Sequence, residues 1–184
     1  MLVALAGPAR SPSLLERRRI ELAAPGVEGS NQPYHAAEEL PLERARSLVK
    51  SCRDGACRLA QRAVSTAVDG LHAKGYRVVG SGLLLASGRP LPELPAILAS
   101  HALIHSAEGE LFRDALVQAS DGCRLPMLRV KERELMDVSA AALDQDASRI
   151  QEQLAAWGKA LGPPWRQDEK LAALVAWLAL SRKS

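Results

Sequence analysis

Residues 42–74 form the longest run of helical periodicity in the chain, and this run constrains the fold most. Apolar and small side chains recur three or four positions apart throughout it, which is the spacing of one helix face. Pro41 suits a first helical turn, and Gly75 suits a C-terminal cap. We therefore predict one long amphipathic helix that packs its small-residue face on a sheet or another helix. The face consists of Ala45, Leu48, Val49, Cys52, Ala56, Leu59, Ala60, Ala63, Val64, Ala67, Val68 and Leu71.

Segments with strand character lie on both sides of this helix. Short apolar or alternating runs bounded by glycine and proline predict strands over residues 2–6, 14–24 and 76–86, and over 125–130. A short third strand is predicted over residues 34–37. Gly80 and Gly82 fall inside the fourth strand, where glycine indicates a bulge or a close approach of backbone.

The remaining periodic segments predict helices. These cover residues 96–120 with a break near 100–106, a short helix from 131, and further helices over 147–161 and 168–181. Strands that alternate with helices after an initial meander predict an α/β fold, with a mixed sheet flanked by helices. A length of 184 residues fits one domain over 1–184.

This order of elements resembles the ribonuclease-H-like superfamily, in which a three-strand meander precedes helix, strand, helix, strand and a closing helix. Residues 170–180, KLAALVAWLAL, also look like the alanine-rich last helix of Holliday-junction-resolvase-like members. The resemblance implies a sheet of that topology. In the nucleases of the superfamily, acids lie on the first strand, near the end of the fourth strand and on the last helix.

The acids of those nucleases have no clear counterparts here. The first strand reads VALAG and the fourth ends LLASG, while the last helix has Lys170 where an acid is expected, just after Asp168 and Glu169. Two-metal phosphodiester cleavage needs clustered carboxylates. The resemblance therefore implies a related fold without nuclease activity.

Potential chemistry is concentrated in residues 100–114, SHALIHSAEGELFRD. On a helix, offsets of four and seven bring His101, His105 and Glu108 to one face. Two imidazoles and a carboxylate are ligands for Zn²⁺ or another divalent ion. A further ligand could come from His35 or Glu38, although a turn and cap is the favoured interpretation of that segment. The competing interpretation is structural: His105 or Ser106 caps a helix start, and both histidines bond locally.

A metal-free site is a third interpretation of the same run. Glu108 or Glu110 would act as a general base with a histidine as its partner, and Arg113 would hold an anionic substrate. Arg113 can equally pair with Glu110 three residues earlier, and such surface bridges are common on helices. We favour the surface bridge.

Composition sets the expected location and partners. The net charge of +3 permits contact with nucleic acid without arguing for it. The three cysteines have no metal-type spacing, the apolar start lacks a basic flank, and no long apolar run exists, so we expect a cytoplasmic protein with no membrane contact. Two functions remain open: a scaffold that binds a protein or nucleic acid, and a small metal-assisted or acid–base hydrolase at the His/Glu cluster.

Overall fold

The computed structural model describes residues 1–86 and 90–182. It is a mixed α/β protein in which 59% of the described residues are helical, with two small sheets flanked by helices. The chain divides into two compact units, each built from more than one stretch of sequence. Unit 1 contains the described residues of 1–20, 72–86 and 125–182, and unit 2 those of 21–71 and 90–124. Because compact units can belong to one domain or to two, the single domain over 1–184 stays a prediction.

Unit 1 contains all the described strands. Strands β1 (Leu2–Ala6) and β2 (Ser13–Arg18) pair antiparallel, with a register shift between Ala4 and Leu5. Strands β3 (Ser81–Leu85) and β4 (Met127–Lys131) pair parallel. The prediction of one mixed sheet was therefore wrong for the described residues, which form two two-stranded sheets. Periodicity identifies strands but does not determine which strands pair.

The helices of unit 1 follow β4. A short 3₁₀ turn (Glu132–Glu134) leads into α5 (Leu135–Leu143), then α6 (Ala147–Leu161) and α7 (Gln167–Ser181). Helix α7 packs against both β1 and β3. Its Trp177 is 1% exposed, donates from Nε1 to the Ala9 carbonyl at 2.8 Å, and contacts the Trp157 ring edge-on. Two of the three tryptophans are thus packing anchors, as a buried indole with a satisfied N–H should be.

Unit 2 consists of helices and their connections. It contains α1 (Pro33–Ala37), nearly all of α2 (Leu42–Ala73), α3 (Leu94–Leu98) and α4 (His101–Gly122). The long predicted helix is confirmed by α2. Its buried side chains are mostly alanine, and small side chains allow close approach of the neighbouring helices. They are Ala45, Val49, Cys52, Ala56, Ala60, Ala67 and Leu71.

The predicted third strand is a helix. Pro33 occupies the first turn of α1, where its fixed φ favours helix and its missing N–H costs no hydrogen bond. Tyr34 and Ala37 of α1 are buried in a core with Ile104 and Ala107 of α4. The four residues 34–37 are too few for their pattern to distinguish a strand from one helical turn.

A break precedes α4, as predicted, but it lies at residues 99–100, at the start of the predicted range of 100–106. Helix α3 ends at Leu98, and α4 runs unbroken from His101. None of the helices in the described ranges 1–86 and 90–182 is both long and apolar enough to cross a membrane.

Candidate metal centre

Helix α4 presents its polar residues beside a buried stripe. Ile104, Ala107, Leu111, Ala115 and Ala119 are at most 2% exposed, and their spacing of three or four residues defines the core-facing side of the helix. His101, His105 and Glu108 lie on the adjacent face. The two histidines are exposed, whereas the Glu108 side chain is only 12% exposed. The predicted placement of these three residues along one helix is therefore confirmed.

The capping interpretation of this run is wrong. The helix begins at His101 with Ser100 as its N-cap, five residues or more before the predicted start. The Ser106 hydroxyl lies within the helix and donates to the Ala102 carbonyl at 3.0 Å. Serine often bonds one turn back in this way when it lies inside a helix. His105 and Ser106 are therefore not the residues that cap α4.

A third histidine reaches the same face from α1. The His35 ring contacts the His101 ring at a centroid distance of 5.3 Å and the His105 ring at 4.8 Å, both edge-on. The His101 and His105 rings are 4.5 Å apart. Three of the four histidines in the chain thus meet at one place within unit 2.

The nitrogen atoms of these rings are close enough to share one ion. The Nε2 atoms of His101 and His105 are 3.0 Å apart, and one ligand atom from each of the three residues lies within 4.8 Å of the others. Two nitrogens bound to a tetrahedral zinc ion at about 2.0–2.1 Å are separated by about 3.3 Å. Side-chain shifts of no more than about 1.5 Å would therefore bring all three nitrogens to bonding distance. We call His35, His101 and His105 the histidine triad.

Glu108 lies behind the triad and holds His35. Its Oε1 atom accepts from the backbone N–H groups of Tyr34 at 2.9 Å and His35 at 3.1 Å. The same oxygen lies 3.2 Å from Nδ1 of the His35 ring. Because the two N–H groups belong to the first turn of α1, the carboxylate caps a helix that has no side-chain cap of its own.

The carboxylate of Glu108 is not among the mutually close ligand atoms. Direct ligation of a metal by Glu108 stays a prediction, as does its action as a general base. The nearby Glu38 is exposed at the C-terminal end of α1 and is also outside the group.

Glu110 and Arg113 pair with each other on α4. The Arg113 Nη1 atom donates to Glu110 Oε1 at 3.1 Å, and both side chains are about a quarter exposed. This is the surface bridge favoured by the sequence. The guanidinium of Arg113 also lies over Gly109, because a Cβ built there would be 2.7 Å from Nη1. A catalytic role for Glu110 and Arg113 stays a prediction.

The negative charge of Glu108 also affects a cysteine thiol on the adjacent helix α2. The pKa of the Cys52 thiol on α2 is raised by burial and, to a smaller extent, by the negative charge of Glu108. Burial is also the main cause that raises the pKa of Cys57. Both residues and Cys123 are free thiols.

A surface depression of about 880 Å³ belongs to unit 1. Arg10, Asp144, Arg149 and Trp177 are among its lining residues. Its walls carry exposed charges of both signs, and it contains none of the residues predicted as a site. Among the described residues, the histidine triad is therefore a stronger candidate for a functional site than this depression.

The sequence signal for His35 was weak. A single histidine before two glutamates has no ligand spacing, and only the packing of α1 on α4 brings its ring to the other two. The number of histidines was the available clue, since a chain with four of them offers few candidates for a third ligand.

Comparison with known proteins gives no relative from which a function could be transferred. No protein-family model matches the chain, and no curated protein or solved structure matches it. The functional argument therefore depends on the geometry of the triad.

Proposed function

We propose that the protein binds one divalent transition-metal ion, of the Zn²⁺ class, through His35, His101 and His105. The observation that supports this most is the convergence of three imidazoles from two helices within 4.8 Å. Imidazole nitrogen suits zinc, copper, nickel and iron, whereas Mg²⁺ and Ca²⁺ prefer oxygen ligands. Two histidines four residues apart on a helix, as in α4, can bind one zinc ion together.

Three protein ligands are typical of catalytic zinc sites, in which one coordination position stays open. A tetrahedral zinc ion held by three histidines keeps its fourth position for water or substrate, and such an ion lowers the pKa of bound water to about 7. Because His101 and His105 are exposed, solvent and small substrates can reach that position. We therefore propose metal-assisted hydrolysis as the reaction class.

Metal titration of purified protein tests the binding. We expect one Zn²⁺ per chain by calorimetry, and a loss of affinity greater than about 100-fold in His101→Ala and His105→Ala, since even an outer-shell loss typically costs 10–100-fold. His72→Ala is the matched control, because His72 is the remaining histidine and lies exposed at the end of α2. Equal affinity in all variants, or no uptake by the wild type, would refute the proposal.

Hydrolysis is tested on the zinc-loaded protein. A panel of p-nitrophenyl carboxylate and phosphate esters should include substrates whose cleavage requires zinc and is lost in His105→Ala. Zinc-dependent rates that are the same in His105→Ala and wild type would show that the triad is not responsible.

We also propose, from the resemblance of the alanine-rich closing helix α7, that the chain is related to ribonuclease-H-like proteins without nuclease function and serves as a scaffold for a protein or nucleic-acid partner. The observation that favours the absence of nuclease function concerns the positions where nucleases of that superfamily carry acids. Strand β1 has none, and Glu169 of α7 is 4% exposed and accepts the Arg166 backbone N–H at 2.7 Å. A carboxylate that is 4% exposed and accepts the N–H at the start of its own helix presents little surface to a metal ion. Cleavage of nucleic acid with Mg²⁺ or Mn²⁺ would contradict the proposal. Binding of a nucleic-acid partner should weaken steeply with salt.

A further inference from the structure

The hydrogen bonds around Glu108 determine which nitrogen of a neutral His35 ring carries the proton. Oε1 already accepts two backbone N–H groups, so it acts as an acceptor toward the His35 ring as well. An acceptor 3.2 Å from Nδ1 requires the proton to be on Nδ1. In the neutral ring, Nε2 then carries the free lone pair that a metal needs.

From this geometry we infer that Glu108 is a positioning residue for the metal: it selects the Nδ1–H form of His35 and directs Nε2 to the ion. The inference rests on the proposed metal binding and assigns Glu108 a different role from that of a ligand. A histidine ligand whose other nitrogen donates to a carboxylate has a fixed ring orientation and greater basicity.

A second observation separates this role from simple helix capping. The other carboxylate oxygen, Oε2, is buried and has no hydrogen-bond partner among the described residues. A buried polar atom without a hydrogen bond lowers the stability of the folded protein. Capping the five-residue helix α1 therefore does not by itself explain why a carboxylate is present at position 108. Glutamine would supply the same oxygen acceptor without the negative charge. What the carboxylate adds is a charged acceptor for the His35 ring, which strengthens that hydrogen bond.

The same contacts tie the ligand to its helix. Glu108 binds the backbone and the side chain of His35 together, while His105 lies one turn and His101 two turns before Glu108 on α4. The ring of His35 therefore cannot rotate freely with respect to the His101 and His105 rings. Preorganised ligands lose less conformational freedom when they bind.

Glu108→Gln is the variant that isolates the charge. The amide oxygen can keep the three acceptor contacts, so the metal-free protein should still fold, with its thermal midpoint lowered only by the loss of charge assistance. We expect Zn²⁺ affinity to fall about 10–100-fold. The matched control is Glu110→Gln. Glu110 is two residues after Glu108, and its carboxylate pairs with Arg113. The Zn²⁺ affinity of this variant should equal that of the wild type.

Nitrogen NMR of the metal-free protein gives a readout that a structural role alone would not predict. The His35 ring should carry its proton on Nδ1 in the wild type, and Glu108→Ala should shift it toward the Nε2–H form. Zinc binding that is equally tight in Glu108→Gln and wild type would overturn the positioning role and leave the metal proposal intact. Protonation of His35 on Nε2 in the wild type would also overturn it. No zinc binding by the wild type would overturn both proposals.

Discussion

Gly82 of β3 is the position where an added methyl group should be most informative about packing. A Cβ built there would lie 2.8 Å from the Val175 carbonyl oxygen and 2.9 Å from its Cγ2 atom. Ordinary van der Waals contact begins at about 3.4 Å. Because one of the two atoms belongs to the backbone of α7, rotation of a side chain cannot relieve the clash. The strand or the helix must move.

The expected cost follows from this overlap. Overpacking a buried contact typically destabilises a protein by about 1–3 kcal/mol. We expect Gly82→Ala to lower the free energy of unfolding by that amount. For a chain of this length, each kcal/mol lowers the melting temperature by about 2–4 °C. Urea denaturation followed by circular dichroism measures the free energy directly.

Gly70→Ala is the matched control, with an expected change of opposite sign. Gly70 lies inside α2, and a Cβ built there meets no heavy atom within 4 Å. Alanine in a helix interior is about 0.5–1 kcal/mol more favourable than glycine. The reasoning would be refuted if Gly82→Ala were as stable as the wild type, or if both variants lost stability equally.

Two further predictions concern ionisable groups. Burial alone would raise the pKa of Glu169, but hydrogen bonds from the backbone N–H groups of Arg166 and Glu169, together with the charge of Arg17, leave it below the ordinary value. The stabilisation is therefore present above the unfolded pKa of about 4.3 and is lost as pH falls through the folded pKa. Glu169→Gln should be less stable than the wild type at pH 7, and urea titrations should show the difference shrinking below about pH 4; a constant difference would contradict this. Separately, since burial and Glu108 raise the pKa of Cys52, peptide mapping should find its alkylation at pH 8 much slower in native protein than in urea. Equal rates would show that the thiol is not protected.

Elements with their own periodicity were predictable from the sequence. Helix α6 has the bounds that the sequence predicts, and α2 ends one residue earlier than predicted. A long amphipathic pattern identifies a helix because many apolar residues recur at the spacing of one helix face. Gly82 was also interpreted correctly as a close approach of backbone, since glycine inside a strand commonly indicates one.

What could not be predicted depends on contacts distant in sequence. Five residues such as Pro33–Ala37 carry too little pattern to choose between strand and helix, and the first turn of α1 is capped by Glu108 from α4. The pairing of β3 with β4 likewise joins segments more than 40 residues apart. Helix geometry alone placed His101, His105 and Glu108 together. The sequence offered His35 only as one of two possible further ligands, and the packing of α1 on α4 is what brings its ring to the other two histidines.

The interleaved composition of the two units has a consequence for synthesis on the ribosome. Every residue of unit 2 has been translated once residue 124 is added, so its helices and the histidine triad can form while the chain is still growing. Unit 1 cannot be completed at that stage, because β1 and β3 pack against α7, which is translated some 40 residues later. Until then, apolar side chains such as Val3 and Leu84 lack the helix that covers them. Of the described strands, β1 therefore precedes the helix that packs against it by the longest stretch of chain.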